Sequence, residues 1–180
     1  MKTVIISDST LRLINYNDIK NSTDKRQEEV ELSKHNGATT DKLHHMSKFF
    51  LDSKKVTPDN FIIVAGLNDV LSDKREYGHV DCRDIAQRVV NIGKTAKESG
   101  VARICISELI KPRYEDCHQF ITEVNDLIKL ECQTEGFIFI TQSNIGLRDL
   151  GDNLHVSRGP SNDKLKHNIF SHCYTYNDKY

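Results

Sequence analysis

Near its C-terminal end the chain reads Asp152-Asn153-Leu154-His155. A separation of three residues on a turn lets a carboxylate fold back onto its own histidine, accept a hydrogen bond from Nδ1–H and leave Nε2 free as a base. A base needs a nucleophile, and Ser7-Asp8-Ser9 directly follows an apolar run at the N-terminus. A serine at that place has its hydroxyl at the mouth of a sheet, with the following backbone amides turned into the cleft. An ordinary Asp/Ser turn or cap uses the same letters. Two further segments offer donors. In Asn36-Gly37-Ala38-Thr39 a glycine before a helix start leaves its backbone N–H open to a ligand. In Ala65-Gly66-Leu67-Asn68-Asp69 the glycine permits a tight strand exit, and Asn68 carries a neutral NH₂ that could meet an oxyanion without bringing a proton-transfer group. Asn-Asp after a strand is also plain turn chemistry. Taken together, the four segments hold a candidate nucleophile, a candidate base and candidate oxyanion donors.

Such groups work only if elements bring them to one edge. Short apolar runs bounded by turn residues fall at 3–6, 28–33, 61–65, 101–106 and 137–140, and longer stretches of helical period lie between them. That alternation predicts an α/β domain with a five-stranded, mainly parallel sheet. The run Phe61-Ile62-Ile63-Val64-Ala65 is apolar and β-branched, as a central strand covered on both faces requires. Helical stripes are expected over 39–51 (Leu43, Met46, Phe50), over 85–96 ending at Gly100, over 120–128, and over 162–172. His44-His45 reads as solvated helix surface, because adjacent positions share no face for a metal. Residues 10–27 and 66–82 are polar without clear period and are expected to be loops. All four chemical segments then lie beyond carboxyl ends of strands, where ligands of open α/β sheets gather.

Composition bounds the rest. A chain of 180 residues suits one domain, 1–180, and can bury enough surface to fold without a staple. With 25 basic against 26 acidic residues and a net charge of -1, no large field exists to grip a polyanion, so nucleic acid binding by bulk charge is disfavoured. No apolar stretch approaches the length of a membrane span, and mean hydropathy is -0.53. The N-terminal apolar run is too short for a signal peptide, which leads to an intracellular, cytoplasmic expectation. Five cysteines, Cys82, Cys105, Cys117, Cys132 and Cys173, form no C-x-x-C pair and are expected to be reduced and structural.

The order of the blocks, a serine turn, a glycine, G-x-N-D and then D-x-x-H, resembles the SGNH (GDSL-like) hydrolase superfamily over residues 3 to about 165. A narrower resemblance, carried by residues 37–40, 61–69, 139–145 and 152–155, is to the esterase-type domains of some non-LTR retrotransposon open reading frames. The superfamily resemblance implies a flavodoxin-like three-layer α/β/α sandwich. It also implies a serine esterase acting on acetyl, short-chain or lipid esters, with no metal and no organic cofactor. Carried over by position, Ser9 is the nucleophile, His155 the general base and acid, and Asp152 its orienting carboxylate. The oxyanion hole is formed by the backbone N–H groups of Ser9 and Gly37 and the side chain of Asn68. The superfamily's first block opens with glycine, and this chain has Ser7 there, which implies a narrowed cleft or a slower enzyme. Two rivals keep the same architecture. One is a catalytically silent module that binds RNA or protein, with Lys164, Lys166 and His167 as a local basic patch. The other is a receiver-type phosphoacceptor built on Asp8, Asp69 and Ser107, which lacks a lysine after the fifth strand and leaves Asp152 and His155 without a task. The sequence leaves the acyl group, the alcohol and the oligomeric state open.

Overall fold

The computed structural model describes residues 1–14, 29–53 and 56–172. Five parallel strands, β1 (Lys2–Ser7), β2 (Glu29–Lys34), β3 (Asn60–Val64), β4 (Arg103–Ser107) and β5 (Ile138–Ile140), lie in the order β2-β1-β3-β4-β5. The helices are α1 (Thr40–Ser53), α2 (Leu67–Tyr77), α3 (Cys82–Glu98), α4 (His118–Glu135) and α5 (Pro160–Phe170). Alternation along the strands sends Val4, Ile6, Phe61 and Ile63 into one core with α1, α2, α3 and α4. It sends Ile5, Ile62 and Val64 into a second core, with Leu11, Ile14 and α5 residues Leu165 and Ile169. Strand residues buried on both faces explain why β3 reads as an unbroken apolar run. The result is the three-layer α/β/α sandwich expected from the sequence.

All five expected strands are present, with ends shifted by one or two residues; Glu28 of the expected second strand lies outside the described residues. The expected 66–82 loop is corrected: residues 67–77 are α2. Its sequence has few apolar positions, and only Leu67, Asp69 and Val70 are buried, so no stripe announces it. The signals it does carry are terminal ones, namely Asp69 in the first turn, Lys74 and Arg75 in the last, and Gly78 as a left-handed C-cap whose N–H bonds Lys74 O. The expected 10–27 loop begins with a 3₁₀ turn, Ser9–Leu11, that buries Leu11. Most of that loop lies outside the described residues. His44 is not solvated surface either: it is half-buried and hydrogen-bonded to Thr95 Oγ1 of α3 at 2.7 Å. Cys82, Cys105, Cys117 and Cys132 are buried free thiols, and Cys173 falls outside the described residues. Among the described residues no helix is long and apolar enough to cross a membrane.

Chain order reverses at β1, which sits between β2 and β3. In sheets of this order the crevice beyond the carboxyl ends of those strands is where ligands bind. That crevice receives the residues following Ser7 and Val64.

Candidate active site

Strand β1 delivers Ser9. Its last pairings run past the strand proper, with His35 N–H donating to Ser7 O at 2.8 Å and Asp8 N–H to Val64 O at 3.0 Å. The backbone is therefore held from both sides up to the residue before the serine. Asp8 caps the following 3₁₀ turn by accepting Thr10 N–H on Oδ1 at 2.8 Å, and Ser9 opens that turn, half-buried. The Ser7 side chain is fully buried, and its hydroxyl donates to Asp8 O at 3.0 Å.

Gly37 lies in the β2–α1 connection at φ +72°, and a Cβ there would meet nothing within 4 Å. Its N–H is thus set by backbone conformation and by hydrogen bonds on its flank, where Ala38 N–H donates to His35 O at 3.0 Å. Gly66 follows β3 at φ +112°, a conformation that favours glycine, and turns the chain into α2. Asn68 stands in the first turn of that helix. One hydrogen of its Nδ2 is already engaged with Ala38 O at 2.9 Å, which leaves the other for a ligand.

The D-x-x-H segment forms a closed loop. Leu150 and Val156 make an antiparallel bridge, Gly151 N–H donates to His155 O at 2.9 Å, and both bridge residues are buried. At its tip Asp152 Oδ1 accepts the N–H groups of Leu154 (2.7 Å) and His155 (2.6 Å), while Oδ2 lies 2.9 Å from His155 Nδ1. The His155 backbone donor, its ring and the Leu154 donor together hold the Asp152 carboxyl far below the usual carboxylate range. With Nδ1 turned to the carboxylate, Nε2 is the ring nitrogen left over, and among the described residues it is buried without a hydrogen-bond partner.

Charge links this loop to β1. Burial pushes the Asp8 carboxyl up to about 6 against the pull of the Thr10 hydrogen bond, with Asp69 raising it further and His155 lowering it. His155 and Asp69 therefore lie within electrostatic reach of the residue preceding Ser9. Ser9 Oγ and His155 Nε2 are not hydrogen-bonded to each other. Asp8 Oδ2 is likewise buried and unpartnered.

Two features escaped sequence reasoning. One is a cavity of about 380 Å³ between the exits of β4 and β5, lined by residues 108–111, His118, Gln142 and Ser143 among others. None of the five expected site residues lines it, but its wall residue Leu109 packs at Gly66, where a Cβ would lie 3.5 Å from Leu109 Cδ2. The other is Arg88 on α3, which reaches Asp69; the only hint in the sequence is the i,i+4 spacing of Asp84 and Arg88. Among the described residues no group of three His, Cys, Asp or Glu side chains could hold a metal ion.

No family profile matches the sequence, and a search of curated proteins returns no relative. Solved structures do match. A member of the lipolytic protein G-D-S-L family from Veillonella parvula superposes with a TM-score of 0.77 at 13% identity, over 95% of this chain and 97% of that one. A GDSL-like lipase from Bacteroides thetaiotaomicron gives 0.77 at 14%, over 96% and 87%. The aryl esterase of M. smegmatis gives 0.76 at 12%, over 96% of each chain. At these identities the likeness is one of fold, and the fold of this chain is the α/β architecture that these GDSL-type structures share.

Proposed function

We propose that the protein is a serine esterase that hydrolyses acyl esters through Ser9, His155 and Asp152. The observation that carries this reading is the loop 150–156, which fixes the His155 ring on Asp152 and leaves Nε2 buried and unbonded. A buried nitrogen with a lone pair and no donor is costly to keep unless something occupies it. In the proposed reaction Nε2 takes the Ser9 Oγ proton as Oγ bonds to the acyl carbon. The oxyanion meets Ser9 N–H, Gly37 N–H and the second Asn68 Nδ2 hydrogen. Nε2–H then passes its proton to the leaving alcohol, and water, deprotonated by the same nitrogen, releases the acid and restores Ser9. The proton transfers contribute about 10²- to 10⁴-fold and each oxyanion donor about 10²- to 10³-fold. No step calls on a metal or a cofactor.

The substrate in this reading is a small-molecule ester, and the cavity beside Leu109 accommodates the part of it remote from the ester bond. Lipolytic and aryl-ester chemistry are named for the structures of like fold. The absence of a Ser9–His155 hydrogen bond favours a second reading, in which the fold serves as a silent binding module. For RNA the basic patch is poorly suited, since Lys164 pairs with Asp149 at 2.8 Å and Lys166 with Asp163 at 3.3 Å. A fluorophosphonate probe separates the two readings. Labelling at Ser9, with p-nitrophenyl acetate turnover lost in Ser9→Ala, is the expected result. Equal turnover by Ser9→Ala would exclude the mechanism, and RNA retardation that weakens along a salt series would point to the module.

A further inference from the structure

The side chain of Arg88 is the hub of a charge cluster that no step above uses. Its Nη1 lies 3.2 Å from Asp69 Oδ1 and 3.2 Å from Asp41 Oδ2, and its Nη2 lies 3.0 Å from Asp84 Oδ2. Asp41 and Asp84 are largely exposed, whereas Asp69 is 2% exposed and faces the start of α1. There Asp69 Oδ2 accepts Thr40 N–H at 3.0 Å and Oδ1 accepts Thr40 Oγ1–H at 2.8 Å. The neighbouring Asn68 Nδ2 donates to Ala38 O at 2.9 Å. Two consecutive residues of α2 thus grip the segment 37–40 at two points. Gly37 itself is flanked by the Ala38 N–H to His35 O hydrogen bond, and among the described residues no side chain packs where its Cβ would be.

We propose that Arg88 is a positioning residue for the oxyanion hole: by pairing with the buried Asp69 it keeps that carboxyl group on Thr40, which holds the Gly37 N–H toward the reacting carbonyl. The inference rests on the esterase reading. Burial already raises the Asp69 carboxyl against the Thr40 hydrogen bonds and Arg88, so losing the guanidinium further favours its protonation or its departure from the site, and either event loosens Thr40. Arginine suits the task because its planar fork meets three carboxylates at once, which a lysine ammonium on a flexible stem does less well.

The test compares Arg88→Met, Arg88→Lys, Thr40→Val and Asp84→Asn with the wild type on p-nitrophenyl acetate, with folding checked by circular dichroism and amide exchange followed over residues 36–43. Arg88→Met should lower kcat about 10²-fold, as loss of one oxyanion donor does, while KM stays within about threefold. Amide exchange in the 36–43 segment should quicken at least about tenfold. Arg88→Lys keeps the charge and should recover kcat to within about tenfold of wild type. Asp84→Asn trims only the exposed side of the cluster and should leave kcat unchanged. If Arg88→Met does not fold, Thr40→Val cuts the other end of the same clamp with Arg88 in place, and a roughly tenfold fall in kcat at constant KM is expected. A folded Arg88→Met or Thr40→Val with wild-type kcat overturns the proposal, as does an Arg88→Lys no better than Arg88→Met. A wild type that turns over no ester, or a Ser9→Ala as active as wild type, overturns the esterase reading itself and shows up before any Arg88 variant is compared.

Discussion

Replacing Asp8 by asparagine should make the protein more stable at neutral pH and less active. Burial raises the Asp8 carboxyl from an ordinary 3.8 to about 6, so the folded protein binds this proton more tightly than the unfolded chain does. At about 1.4 kcal/mol for each tenfold change in that equilibrium, keeping Asp8 ionised costs the fold about 3 kcal/mol above pH 7. The sign is opposite to that of a salt-bridged carboxylate: the penalty fades as pH falls through about 6 and is gone below about 4. Asparagine keeps the Oδ1 acceptor for Thr10 N–H and carries no charge, but it puts an NH₂ where Oδ2 is buried without a partner, at a cost of about 1 to 2 kcal/mol. Urea denaturation should therefore find Asp8→Asn about 1 to 2 kcal/mol more stable than wild type at pH 7.5 and, once the penalty has faded below about pH 4, about 1 to 2 kcal/mol less stable. The difference between the two proteins should move by about 3 kcal/mol across that range. The carboxylate also favours a positive charge on His155 during proton transfer, and losing it should lower kcat by about tenfold. A variant destabilised by the same amount at both pH values would refute the assignment of a charged, desolvated Asp8.

Asp152→Asn should lower kcat by about 10³- to 10⁴-fold with little change in KM, because an amide NH₂ facing Nδ1 favours the tautomer that protonates Nε2; steady-state kinetics against pH check this. Gly66→Ala should cost about 2 to 4 kcal/mol by thermal denaturation. Its left-handed conformation disfavours a side chain, and the new Cβ would lie 3.1 Å from Val89 Cγ2.

What the sequence revealed of this fold follows from how each element is stabilised. Strand β3 is buried on both faces, so its apolar run is visible without knowledge of its neighbours. Helix α2 is held by its caps and by a few contacts near its first turn, and its polar letters resemble a loop. The Asp152–His155 pairing is a local event within one closed loop, so spacing alone could suggest it. The Thr40–Asp69–Arg88 chain joins residues 29 and 19 positions apart through three elements, and no periodicity encodes such a contact. Asn68 shows the same limit. Its amide is legible as a donor, but its commitment of one hydrogen to Ala38 O depends on where α1 begins.

The two halves of the candidate site rest on unlike supports. Ser9 and Asn68 leave adjacent central strands whose backbones are paired up to Asp8 and Val64, so their relative position is set by the sheet and changes only if the sheet does. The loop bearing His155 lies outside the sheet and is fastened at three kinds of point. Leu150 and Val156 sink into the core beneath α5. Arg113 donates from its backbone N–H to Asn153 O at 2.8 Å and from Nη2 to Leu150 O at 2.9 Å. Asp149 ties the loop to α5 through Ser161 and Lys164, both at 2.8 Å, and those donors with Gly146 N–H hold its carboxyl down at about 2. Perturbations of these ties therefore act on the separation between the proposed base and the proposed nucleophile, while perturbations around β3 and α2 act on the proposed oxyanion side. With Ser9 Oγ and His155 Nε2 unbonded, the first separation is the one that decides whether the proton can move.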